Sequence, residues 1–157
     1  MILRHAKTAN PEGVIDTDRP LTQRGHADAA AAGAWLARHD YAVDVVLCSP
    51  SRRTRETWHE VALALESAPT VRYESQVYAA SARELLEVVR SAPDDASTAL
   101  LVGHNPGLSE LSIILDRAHA DPDGLRTAGI AVHSWDGDWV DCGQGTAPLT
   151  ARHTARG

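Results

Sequence analysis

Two of the eight histidines in this 157-residue chain stand where apolar, strand-like segments end. Arg4 and His5 close the first such segment, "MILR", and His104 follows "STALLVG" (97–103). An arginine fork matches two phosphate oxygens at once, and a neutral imidazole can attack phosphorus. Because the charge of a neighbouring arginine disfavours protonation of an imidazole, His5 is the candidate nucleophile of a phosphoryl-transfer site.

A cluster of arginines follows a third apolar segment, "VDVVLCS" (43–49). It comprises Arg52, Arg53 and Arg55, in a chain whose net charge is −6. Local positive charge in an acidic protein predicts a site for a small anion, and a solvated helix face is the alternative.

The intervening sequence predicts alternating strands and helices. The expected elements are strands at 1–4, 43–49, 70–74 and 97–103, and helices at 22–38, 50–65, 81–91 and 107–117. Thr22 can cap the first helix, and Ser81 with Glu84 forms a capping box for the third. A closing β-hairpin is expected from 129–135 and 139–143 across an Asp-Gly turn. We therefore predict an α/β fold, a three-layer αβα sandwich around a mostly parallel sheet with a terminal antiparallel hairpin.

In such a sheet the carboxyl ends of parallel strands share one edge, where ligands bind. We therefore expect Arg4, His5 and His104 to converge there with at least one arginine of the cluster at 52–55. The helix that follows His104 would present its free N–H groups to the same anion. The other histidines have no spacing typical of metal ligands, so we expect neither a metal nor another cofactor.

Composition narrows the class of protein further. The length fits one domain, residues 1–157, with an aliphatic core that lacks phenylalanine. There is no basic run and no apolar segment of membrane-spanning length, so neither nucleic acid nor a membrane is an expected partner. Cys48 and Cys142 do not make a disulfide framework, and the absence of a leader favours the cytoplasm.

The spacing and identity of the residues exclude other motifs that bind or transfer phosphate. A cysteine phosphatase needs C-x₅-R, but Thr54 stands at that distance from Cys48. The segment "GHNPGLSE" lacks the lysine of a P-loop and the third glycine of a dinucleotide-binding turn.

Four segments in order, "LRHAKT", "DRPLTQRG", "SPSRRTRET" and "LLVGHNPGLSEL", closely resemble the histidine phosphatase superfamily. The resemblance covers residues 2 to about 142 and is strongest to its small SixA-type phosphohistidine phosphatases. It implies the phosphoglycerate-mutase-like fold and a covalent phosphohistidine intermediate. It also implies that His5 is the nucleophile and that Arg4, Arg53 and His104 bind phosphate, with Arg19 of "RPLT" brought toward the phosphate by a long loop. For Arg52 and Arg55 we then favour the solvated helix face, with pairing to Glu56 and Glu60.

The sequence departs from the family pattern at two places. Ala6 stands where many members have glycine, and we expect it to fit because alanine tolerates a negative φ. The segment "SQVYAASA" (75–82) has no carboxylate where larger members carry a general acid. Asp16 and Asp18 either neutralise Arg19 or supply a substitute acid.

The missing acid favours one substrate class. An alkoxide leaving group normally needs a proton from an acid, an effect of roughly 10²–10⁴-fold, whereas imidazole leaves more easily because its conjugate acid has a pKa of about 6.5. We therefore predict a metal-independent phosphatase that acts on a phosphorylated protein, with phosphohistidine as the phosphorylated residue. The alternatives are a phosphatase of small phosphate esters and a non-catalytic phosphate-sensing module on the same fold.

Overall fold

Six strands form one sheet in the order β3-β2-β4-β1-β5-β6. The computed structural model describes residues 1–66 and 68–157. The strands are β1 (Ile2–Arg4), β2 (Val45–Cys48), β3 (Thr70–Tyr73), β4 (Ala99–Gly103), β5 (Gly129–His133) and β6 (Leu149–Thr154). The helices are α1 (Gln23–Arg38), α2 (Arg52–Ala62), α3 (Ala82–Arg90) and α4 (Gly107–Leu115).

The first four strands run parallel to one another. β2 pairs with both β3 and β4, and β4 pairs with β1, so the carboxyl ends of all four meet at one edge. β5 runs antiparallel to β1, and β6 runs antiparallel to β5. The predicted α/β class and the mostly parallel sheet are confirmed.

Helices cover both faces of the sheet, because the side chains of its continuous apolar strands point alternately to opposite faces. Leu101 packs on one face with residues of α3 and α4, among them Leu85 and Leu111. Its neighbour Leu100 packs on the other face with residues of α1 and α2, among them Leu36. The predicted three-layer arrangement is therefore present.

The predicted hairpin partner is wrong. β5 is paired with β6, whereas residues Trp139–Asp141 form a short 3-10 turn. The indole N–H of Trp139 donates to the carbonyl of Ala96 at 2.7 Å, and Arg90 of α3 donates to the carbonyl of Cys142 at 2.8 Å. These contacts hold the segment against α3 and the loop before β4, so it cannot extend alongside β5.

The predicted helix caps are confirmed, and one helix start shifts. Thr22 accepts a hydrogen bond from the N–H of Gly25, and the capping box of Ser81 and Glu84 is complete. α2 was expected to start at Pro50, but it begins at Arg52 with Ser51 as its N-cap residue. No helix within the described residues is long and apolar enough to cross a membrane.

Candidate active site

The strand order arranges the polar groups in a row along the carboxyl edge. Across β3, β2, β4 and β1, the residues beyond the strand ends include Tyr78, Arg53, His104 and His5, in that order. The rings of His5 and His104 lie 5.2 Å apart between centroids. Arg53 reaches His104 as well, since its Nε donates to Nδ1 of that ring at 3.3 Å. The structure thus brings three of the predicted site residues into one cluster.

His5 is held in the tautomer that suits a nucleophile. Its Nδ1–H donates to the carbonyl of Ala6 at 2.8 Å, which leaves the lone pair of Nε2 free. Burial lowers the pKa of His5 to about 4, with further lowering by the charges of Arg53, Arg4 and Arg19. Burial is thus a larger cause of the lowered pKa than the neighbouring arginine charge expected from the sequence. His5 is therefore a neutral imidazole at neutral pH.

The lowered pKa of His5 is directly measurable. We expect an NMR titration of the imidazoles, assigned with His5→Ala, to give His5 a pKa near 4 instead of the 6.5 of a free imidazole. Between these values the unfolded chain binds more protons than the folded one, so the stability contributed by His5 is complete above pH 6.5 and is lost as the pH falls toward 4. A pKa of His5 near 6.5 would contradict the buried, neutral nucleophile.

His104 is also neutral, and its neighbours fix its tautomer. Because Nδ1 accepts from Arg53, the ring proton lies on Nε2, which donates to the buried hydroxyl oxygen of Ser49 at 2.9 Å. Burial, followed by the charges of His5 and Arg53, lowers the pKa of His104 to about 3. Both ring nitrogens are engaged within the protein, so a phosphate oxygen reaches His104 by replacing one of these partners.

Arg53 and Arg4 each keep guanidinium N–H groups that can donate to an anion. Arg53 uses three of its five N–H groups, one on His104 and two on Asp16, which leaves two. Arg4 donates through NH1 to the carbonyl of Leu125 at 2.8 Å, while its Nε is buried without a partner among the described residues. A buried guanidinium donor without a partner is unfavourable unless an anion satisfies it.

The hydroxyl of Thr57 links the residue after the nucleophile to α2, the helix that carries Arg53. The Thr57 oxygen accepts from the N–H of Ala6 at 3.0 Å and donates to the carbonyl of Arg53 at 2.7 Å. Ala6 is fully buried and does not take a left-handed conformation, so alanine replaces glycine here without strain, as expected. This bridge fixes the spacing between His5 and Arg53.

The loop between β1 and α1 brings Asp16 and Arg19 to the site. Arg19 donates to Ala9, Thr8 and Asp16, all within its own loop, although its charge contributes to lowering the pKa of His5. The Asp16 carboxylate accepts from Arg53 at 2.9 Å and from the hydroxyl of Tyr78. The structure therefore places Arg19 beside the cluster, with its donors directed into the loop.

Asp16 is ionised and has no proton to give at neutral pH. The hydrogen bond from Tyr78, followed by those from Arg53 and Arg19, holds the pKa of its carboxyl well below the usual range. Of the two roles left open for Asp16, the structure favours neutralisation of the arginines over general acid catalysis.

The remaining residues of the arginine cluster lie outside the site. Arg52 pairs with Glu56 at 2.6 Å, as predicted, and Arg55 is exposed. Burial raises the pKa of the Cys48 thiol to about 12, so this cysteine is no nucleophile. Among the described residues, no three His, Cys, Asp or Glu side chains are grouped as a metal site.

Tyr78 is the site residue that sequence reasoning missed. Its ring lies 5.5 Å from that of His104 at an interplanar angle of 84°, and the Cζ of Arg53 lies 5.8 Å from its centroid. The segment 75–82 that carries it has no carboxylate, and an aromatic ring was not among the expected site groups. Tyr78 follows β3, whose carboxyl end lies at the same edge of the sheet as the other site residues. That position was the signal in the sequence that could have identified it.

Fold and site together define a phosphoglycerate-mutase-like α/β protein with two histidines and two arginines at the carboxyl edge of its sheet. The sequence profile of the histidine phosphatase superfamily (branch 1) matches residues 1–77. An uncharacterised protein of Mycobacterium tuberculosis (strain H37Rv) is 39% identical over 162 residues, spanning 98% of this chain and 100% of that protein.

Solved structures similar to this chain support the same family. A putative phosphohistidine phosphatase SixA from Nakamurella multipartitia is 36% identical, with a TM-score of 0.81 over 98% of this chain and 95% of that one. The protein histidine phosphatase SixA complexed with tungstate shares the fold at 21% identity, with a TM-score of 0.83 over 98% of this chain and 94% of that one. The chain therefore belongs to the histidine phosphatase superfamily, whose members are phosphatases, and the predicted resemblance is confirmed.

Proposed function

We propose that this chain is a SixA-type phosphohistidine phosphatase, a hydrolase that works through a covalent phosphohistidine on His5. The observation that carries the proposal is the state of His5, which is neutral, bound through Nδ1 to a backbone carbonyl and free at Nε2, beside Arg53 and His104. The 36% identity to a putative SixA supports the same assignment. The catalytic domain is the whole chain, residues 1–157.

The proposed reaction has two steps. Nε2 of His5 attacks phosphorus in line and the bond from phosphorus to the substrate nitrogen breaks. The substrate ring, protonated by solvent on its other nitrogen, departs as neutral imidazole with the electron pair of the broken bond. Arg4, Arg53 and His104 bind the equatorial oxygens, whose charge they stabilise, and Arg19 adds positive charge at the rim. Water then attacks the phosphorylated His5, which releases inorganic phosphate and restores the neutral imidazole.

The chemistry of the leaving group supports phosphohistidine over a phosphate ester. An alkyl ester needs a positioned acid, but 75–82 holds no carboxylate and Asp16 is ionised. Imidazole departs without such help, since its conjugate acid is far more acidic than an alcohol. The substrate is therefore a phosphorylated protein, with small phosphate esters as the rival class. The cytoplasmic location and the absence of a nucleic-acid partner stay predictions from composition.

A turnover assay tests both activity and the metal-independent mechanism. We expect release of inorganic phosphate from a phosphohistidine-bearing protein at a rate that EDTA leaves unchanged, because the arginines supply the positive charge. Tungstate or vanadate should inhibit by occupying the phosphoryl site. Binding of tungstate without any release of phosphate would indicate the non-catalytic sensing module. Loss of activity on chelation, restored by zinc or magnesium, would refute metal independence.

A further inference from the structure

Tyr78 lies against the phosphate-binding groups. Its ring meets that of His104 nearly at right angles and lies beside the guanidinium of Arg53. Its hydroxyl donates to the carboxylate of Asp16. Cation–π and hydrogen-bond contacts of this kind fix an aromatic ring in place.

The backbone that carries Tyr78 is held equally firmly. Ala79 takes a left-handed conformation, with φ of 54°, which is uncommon for any residue other than glycine. The carbonyl oxygen of Ala80 lies only 2.2 Å from where a Cβ on Gly107 would stand, so this segment packs directly onto the start of α4. Strained backbone persists where its surroundings enforce it and is concentrated at functional sites.

The strand order places Tyr78 and the nucleophile at the two ends of the row along the carboxyl edge. His5 lies beyond β1 and Tyr78 beyond β3, with Arg53 and His104 from the two intervening strands between them. In an in-line displacement the leaving group departs on the side of phosphorus away from the nucleophile. The group that leaves a phosphoryl held by Arg53 and His104 therefore faces toward Tyr78.

We propose that Tyr78 is a specificity-determining residue whose ring forms a wall for a planar aromatic leaving group. This inference rests on the proposed function. It identifies the ring of Tyr78 as the feature by which the site selects the imidazole of phosphohistidine. Aromatic rings attract one another in offset or edge-to-face arrangements, which a flexible alkyl group cannot make.

Tyr78 is unsuited to the other role that its position allows, that of general acid. Its hydroxyl proton is already donated to Asp16, and that hydrogen bond raises the pKa of Tyr78. The ring is thus the part of this side chain available to the substrate.

The test compares two substrates that both leave easily and differ in their ring, phosphoimidazole and acetyl phosphate. We expect the ratio of their kcat/KM values to fall roughly three- to tenfold in Tyr78→Leu and Tyr78→Gln, which remove the ring. Tyr78→Phe, which keeps the ring and loses the hydroxyl, should hold the ratio within about twofold whatever its absolute rate. Tyr73→Leu is the matched control, because Tyr73 ends β3 with 52% of its surface exposed.

The possible failures are distinguishable. An unchanged ratio in both ring-free variants, with the fold verified by circular dichroism and tungstate binding, would overturn the aromatic wall and leave the proposed function standing. A ratio that fell as far in Tyr78→Phe would assign the effect to the hydroxyl and also overturn the wall. A wild-type protein that released phosphate neither from these two substrates nor from a phosphohistidine-bearing protein would overturn the proposed function and this inference with it.

Discussion

Replacing His5 by alanine should lower turnover by on the order of 10³-fold or more, because no other side chain in the cluster is placed to form the covalent intermediate. The wild-type protein, quenched during turnover, should carry phosphate that is labile in acid and stable in base, as expected of a phosphoramidate. The measurements are steady-state phosphate release and rapid-quench labelling.

The matched control is His59→Ala, which removes an exposed histidine of α2 outside the site. This variant should retain both turnover and labelling, and circular dichroism should show that His5→Ala is folded. Undiminished activity in His5→Ala would refute the covalent mechanism, whatever the substrate.

The second large effect concerns the basicity of the leaving group. Without a positioned acid, kcat/KM should fall by roughly 10²–10⁴-fold from phosphohistidine to 3-phosphoglycerate, with p-nitrophenyl phosphate closer to phosphohistidine. The physical reason is that a phenolate or an imidazole departs without a proton supplied by the enzyme, whereas an alkoxide does not.

Asp16→Asn and Asp18→Asn are the controls for a hidden acid. Comparable rates of the wild-type protein on 3-phosphoglycerate and phosphohistidine would mean that an acid is present after all. If one of the two variants then lost only its activity on alkyl esters, that aspartate would be the acid and the small-molecule alternative would be correct.

The main site was predictable because its residues follow parallel strands. Long apolar runs such as "VDVVLCS" and "STALLVG" mark buried strands, and the shared edge of a parallel sheet determines what their ends bring together. His5 and His104 could therefore be grouped with the arginine cluster from local patterns and topology, and the resemblance to the family selected Arg53 within that cluster.

The features that were predicted wrongly or missed depend on contacts between distant segments of the chain or on weak apolar patterns. The hairpin was assigned to 139–143 because Asp-Gly favours a tight turn, but contacts of Trp139 and Cys142 with distant parts of the chain override that local preference. β6 alternates half-buried and exposed residues, such as Ala151 and Arg152, with too little apolar character to stand out. The contacts of Asp16 and Tyr78 with Arg53 join segments more than 20 residues from it, and no short-range pattern records them.

The carboxylate of Asp16 on Arg53 bears on how the product departs. Inorganic phosphate left by the second step competes for that guanidinium with an anion belonging to the protein itself. A tethered group acts at an effective concentration of about the millimolar range, so free phosphate gains little by staying. The same carboxylate weakens the binding of small phosphorylated molecules. A protein substrate can offset this loss with contacts outside the pocket. If the chain is the proposed phosphatase, we therefore expect the ion pair of Asp16 with Arg53 to weaken inhibition by inorganic phosphate and to favour large substrates.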